Sequence, residues 1–121
     1  MADPLAALRE ALQASPDNVP LRLHLADSLL TAGRAEEAEK EYRQALALAP
    51  DDLRLKLGLA RAYERLGKPS YALAILETLL KASDPAPAAR VLYARLVRSA
   101  GQVEEAVRQY RKAVEADPSL A

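Results

Sequence analysis

The sequence predicts an all-α fold: a solenoid of antiparallel helix pairs with seven helices, made of three repeats of about 34 residues and an N-terminal half repeat. Two observations carry this. Gly33, Gly67 and Gly101 lie 34 residues apart. Around them small and large residues recur in register: Leu25, Leu59 and Tyr93; Ala26, Ala60 and Ala94; Leu29, Tyr63 and Val97; Ala38, Ala72 and Ala106; Tyr42, Leu76 and Tyr110; Ala45, Leu79 and Ala113.

The half repeat covers residues 4–16, because Leu8, Ala11 and Pro16 sit 34 residues before Tyr42, Ala45 and Pro50. Asp3 before Pro4 supplies an N-cap acceptor ahead of a first-turn proline. Repeat one spans 19–52. Its first helix, about Val19 to Ala32, sets Leu21, Leu25, Leu29 and Ala32 on one stripe. Gly33 then takes the left-handed backbone that ends a helix without a Cβ clash. The second helix begins near Arg34, buries Ala38, Tyr42, Ala45 and Leu46, and stops at Pro50. Repeat two spans 53–86, with Pro69 opening its second helix, and repeat three spans 87–120, closed by Pro118. Asp84 before Pro85 is expected to cap the next helix as Asp3 caps the first. The alanine columns let paired helices approach closely.

Composition limits the function classes. The chain of 121 residues reads as a single domain, 1–121, small for an enzyme with its own substrate pocket. Seventeen basic residues balance seventeen acidic ones, so no global field draws nucleic acid or anionic lipid. Without cysteine there is neither disulfide nor thiolate chemistry. The start lacks a basic, apolar leader and no stretch reaches the ~20 apolar residues of a membrane span, so a soluble, cytoplasmic protein is expected.

Together the small-residue columns, turn glycines and closing prolines resemble those of the tetratricopeptide repeat over nearly the whole chain. The resemblance implies a right-handed α-solenoid and a protein-binding role as scaffold or adaptor. Two departures stand out. Arg22, Lys56 and Arg90 occupy a place that is usually large and apolar, with Leu21, Leu55 and Ala89 one residue earlier taking over the packing. In the middle repeat, Leu79 replaces a small residue and Asp84 with Pro85 replaces the closing proline.

In proteins that this chain resembles, the first helices line a concave groove that receives an extended peptide or a partner helix. By register Leu23, Leu57 and Val91 form an apolar ladder there. Beside it run Asp27, Arg61 and Arg95, then Leu30, Glu64 and Arg98, with Arg54, Arg65 and Thr31 nearby. Five arginines against Asp27 and Glu64 make the lining basic. Such a surface suits an acidic, amphipathic peptide or helix whose carboxylates meet guanidinium forks. Set against this, exposed arginines are common solvated surface, and Asp27 can neutralise Arg61 for about 0–1 kcal/mol. Members that hold the acidic tails of heat-shock chaperones use lysines, asparagines and an arginine where this chain has Leu23, Asp27, Gly58, Ala88 and Leu92, so that activity is not expected.

No catalytic constellation, cofactor motif or metal site is read from the residues. His24 is the only histidine and has no companion at ligand spacing. The tyrosines at 42, 63, 93 and 110 occupy packing columns, and the glycines are isolated helix terminators. On the second helices Glu36 with Lys40, Glu39 with Arg43, and Glu104 with Arg108 are expected as ion pairs four apart. The last helix carries Val107, Tyr110 and Val114 toward an uncovered edge, which reads as a self-association surface, a homodimer, or the exposed end of a piece excised from a longer protein. The leading expectation is a non-enzymatic protein-interaction module. A homo-oligomerising scaffold comes second, and a nucleic-acid-binding helical repeat is the weakest.

Overall fold

The computed structural model describes residues 3–121. They form seven α-helices: α1 (Pro4–Ala14), α2 (Val19–Thr31), α3 (Ala35–Leu48), α4 (Leu53–Arg65), α5 (Pro69–Leu80), α6 (Pro87–Ser99) and α7 (Val103–Ala116), followed by a 3₁₀ turn, Pro118–Leu120. No strand occurs among the described residues, so the fold is all-α as the repeat pattern requires. No described helix is long and apolar enough to cross a membrane.

Helix ends follow from local chemistry. Gly33, Gly67 and Gly101 have φ of 81°, 72° and 90°. With each in the left-handed region, the chain closes the helix twice over. The amide of Arg34 donates to the Leu29 carbonyl at 2.9 Å and that of Gly33 to Leu30 at 3.1 Å; the same pair of bonds recurs after α4 and α6. Helix starts use side chains. The carboxylate of Asp3 accepts from the amide of Leu5, Asn18 from Leu21, and Asp52 from Arg54 and Leu55.

The expected cap at Asp84 does not form. α6 begins at Pro87, and Ala86 stands at the cap with extended backbone (φ −58°, ψ 133°) and no side-chain acceptor. Pro87 disfavours helical geometry in the residue before it, so the helix starts at the second proline of the Pro85–Ala86–Pro87 run and leaves Asp84 outside. Ala86 occupies the column in which Asn18 and Asp52 cap α2 and α4.

The chain divides into two compact units, Met1–Lys68 and Pro69–Ala121. In the first, α2 packs on α1 and α3, α3 packs on α4, and α2 also touches α4. Leu25, Ala26, Leu29, Ala38, Tyr42, Ala45, Leu55 and Ala60 form its buried interior. In the second, α6 packs on α5 and α7. Ala94, Val97 and Ala106 are buried together, with Leu73, Tyr93 and Tyr110 against them.

The arginines at the unusual position tie first helices to second ones. Arg22 donates to Glu41 at 2.7 Å, to Gln44 at 2.6 Å and to the Pro16 carbonyl at 2.9 Å. Two repeats later Arg90 donates to Oε1 of Gln109 at 2.9 Å, 19 residues downstream as Glu41 is from Arg22. Gln109, itself buried, passes the chain on to Glu105 at 2.9 Å. A guanidinium here exchanges apolar burial for a charge-assisted bond across the hairpin; of the residues one place earlier, Leu55 and Ala89 are buried as expected and Leu21 is half-buried. On the outer faces Glu39 pairs with Arg43 at 3.6 Å. Arg108 pairs with Glu105 and not with Glu104, because both its Nε and a terminal nitrogen reach one Glu105 oxygen, at 2.9 and 2.5 Å.

Candidate peptide-binding surface

Two helices of the first unit, α2 and α4, carry most of the expected groove residues, and α3 lies behind them. Leu23 and Leu57 are half-buried, which leaves part of each side chain as apolar surface. Asp27, Arg54, Arg61 and Arg65 are exposed and Glu64 is half-buried. Leu30 is only 6 % exposed, so its side chain belongs to the interior.

Three of these residues, Asp27, Arg61 and Arg65, meet at one point. Tyr42 of α3 has no exposed surface, yet its hydroxyl reaches between α2 and α4 and donates to Oδ1 of Asp27 at 2.5 Å. Arg61 and Arg65, one turn apart on α4, lie close enough for their charges to act on that hydroxyl. Burial is the main influence on Tyr42, followed by the bond to Asp27 and the negative charge of that carboxylate. Together they push the phenol well above its usual range, while Arg61 and Arg65 pull it down. The Asp27 carboxylate is therefore engaged by a phenol from below.

Gly58 makes this approach possible. A Cβ placed on it would stand 2.3 Å from Cε1 and 2.5 Å from Cζ of Tyr42. A glycine inside a helix costs about 1 kcal/mol relative to alanine, so its presence signals a close neighbour. In the sequence that signal was available, because the same column holds His24 and Leu92.

The arginines are not equivalent. Arg65 donates to the Leu30 carbonyl at 3.1 Å and so caps the C-terminal end of α2, where the helix dipole favours a cation. Arg54 bonds Asp52 at 3.3 Å. Burial would raise the Asp52 carboxyl, but the Arg54 side chain and the amides of Arg54 and Leu55 outweigh it and hold it below the usual range. Arg61 is directed by neither contact.

On α6, in the second unit, Val91 is half-buried and Arg95 and Arg98 are exposed, in the columns of Leu57, Arg61 and Glu64. On α7, Val107 is 42 % exposed, and Tyr110 and Val114 are half-buried. They line a hollow of about 390 Å³ with Arg111 and Glu115. His24 is exposed, and no group of three or more metal-binding side chains forms among the described residues.

A family model described as tetratricopeptide repeat matches residues 2–44 and 29–96, and a second such model matches residues 88–120. Among solved structures, the crystal structure of MamA is 19 % identical with a TM-score of 0.82, covering 94 % of this chain and 67 % of that one. A structure described as MamA MSR-1 C2 is 20 % identical with a TM-score of 0.76, covering 97 % of this chain and 67 % of its own. At these identities the likeness is one of fold. No curated protein matches the sequence.

Proposed function

We propose that this chain, which belongs to the tetratricopeptide repeat family, serves as an adaptor whose first helices hold an acidic, amphipathic peptide or helix of another protein. The family is one of protein-interaction modules, so a binding or scaffolding role follows from membership. The choice of ligand rests on the convergence at Tyr42. Arg61 and Arg65 share one face of α4 beside the half-buried Leu23 and Leu57, and the nearby carboxylate of Asp27 is bonded to the phenol. Like charges one turn apart are mildly unfavourable alone and become favourable when an anion sits between them. A ligand carboxylate would fill that place while an apolar neighbour two to four residues away covers Leu23 or Leu57. Val91, Arg95 and Arg98 carry the same alternation of apolar and cationic residues on α6.

Selection of random peptides against the immobilised chain tests this reading. Enrichment of sequences that combine aspartate or glutamate with leucine, and their loss on the Arg61→Glu variant, is the expected result. Selection of sequences without acidic residues, or equal capture by Arg61→Glu, would overturn it.

A further inference from the structure

In the column that holds Asp27 in the first repeat, the other two repeats hold Arg61 and Arg95. Asp27 is exposed, and cations surround it. Arg65 donates to the carbonyl of Leu30, one turn further along the same helix as Asp27, at 3.1 Å. The charges of Arg61 and Arg65 both act on the Tyr42 hydroxyl, which is bonded to Asp27. An aspartate in that position turns to a guanidinium and cancels part of the charge available to a ligand, unless something else holds it. Glu64, the other acid of the lining, is half-buried and engaged in an interaction of its own.

Tyr42 holds it. The hydroxyl donates to Oδ1 at 2.5 Å from a ring that has no exposed surface and is packed against Gly58, so the donor cannot follow the carboxylate outward. A bond from a buried donor to an ionised acceptor outweighs an ion pair at an exposed surface, where water competes and salt screens. The carboxylate therefore stays with the phenol. Packing alone does not require that hydroxyl, because Leu76 fills the same column in the second repeat and is fully buried there. Gly58 in turn gives up helix propensity to admit the ring that carries it.

We infer that Tyr42 is a positioning residue for the ligand: by holding Asp27 it keeps Arg61 and Arg65 open to an incoming carboxylate. This role rests on the reading of those arginines as the cations that meet the ligand. Arg65 retains further N–H groups after its bond to Leu30, since a guanidinium has five. Tyr42 touches no ligand, having no exposed surface, and acts only through Asp27.

The probe is a fluorescein-labelled peptide of leucine and glutamate, compared with the same peptide carrying glutamine in place of glutamate. Tyr42→Phe should weaken binding of the acidic peptide about three- to fivefold, the scale of one exposed ion pair, and leave the neutral peptide unmoved. Asp27→Asn added to Tyr42→Phe should restore the loss, which it would not do if the hydroxyl served stability alone. Urea denaturation reads the same event without a ligand. Asp27→Asn and Arg61→Gln should have additive effects in the parent and be coupled in the Tyr42→Phe background, by a similar factor in the folding constant. Acidic binding unchanged by Tyr42→Phe, equal loss of both peptides, no restoration by Asp27→Asn, or coupling of Asp27 with Arg61 already in the parent would each overturn this role. Absence of acidic-peptide binding to the parent would instead remove the proposed function, and the urea cycle would then decide on Tyr42.

Discussion

The Tyr42 hydroxyl donates to Asp27 at 2.5 Å from a ring packed against Gly58, where an added Cβ would stand 2.3 Å from Cε1. Three helices are thus locked by one side chain: α3 supplies the phenol, α2 its acceptor, α4 the gap.

Gly58→Ala should destabilise the protein, although alanine is the better helix former by about 1 kcal/mol. The ring is fully buried and cannot retreat without giving up Asp27. A net loss of about 1–3 kcal/mol is expected from overpacking. Urea denaturation measures it, and a variant more stable than the parent would contradict the assigned contact.

Tyr42 should make the fold sensitive to base. Its folded value lies above the usual 10.0, through burial first and Asp27 second. A group raised in this way contributes fully below the unfolded value and loses that contribution as pH rises through the folded one. The denaturation midpoint should therefore begin to fall from about pH 10 upward, where the unfolded phenol ionises and the folded one does not. Tyr42→Phe should flatten most of that slope while lowering stability at neutral pH by about 1 kcal/mol.

Arg61 and Arg65 should separate binding from stability. Arg65→Gln removes the cation that caps α2 at the Leu30 carbonyl and should cost about 0.3–1 kcal/mol. Arg61→Glu should leave the melting temperature within a degree or two, since exposed charges contribute about 0–1 kcal/mol, yet abolish capture of acidic peptides. Calorimetry beside a binding assay reads both, and a fall in stability for Arg61→Glu equal to that for Arg65→Gln would remove the distinction.

Gln109→Leu should disconnect the link between α6 and α7. Gln109 accepts from Arg90 and donates to Glu105, both at 2.9 Å. Its amide is the main reason that Glu105 titrates below the usual carboxylate range; burial opposes this, and Arg108 and then Lys112 add to it. A lowered carboxyl stabilises above its unfolded value and loses that contribution as pH falls through the folded one. The variant should move Glu105 upward in an NMR carboxyl titration, weaken the acid dependence of stability, and lose about 1–3 kcal/mol near neutrality from the partners left behind.

The seven helices, their glycine stops and their alanine columns could be read directly because they rest on neighbours within a turn or two and recur every 34 residues. Gly33 needs no distant partner to end a helix. The expected Asp84 cap failed where two prolines compete, Pro85 and Pro87, and a one-dimensional pattern does not rank them. The candidate site is legible only as a set of columns, in which Leu23, Asp27, Leu57, Arg61 and Arg65 are expected as groove lining. What each does was not legible. Tyr42 looked like core, and it is, but its hydroxyl crosses to Asp27, 15 residues away, through space that Gly58 leaves open. Arg65, expected as groove lining, also donates to the end of a helix 35 residues upstream. The repeating sequence by itself determined most of the inward columns, Leu30 excepted, since helical periodicity is local. Only the tertiary packing decided which polar groups meet, because a hydrogen bond between helices depends on ångström-scale separations that spacing along the chain does not encode.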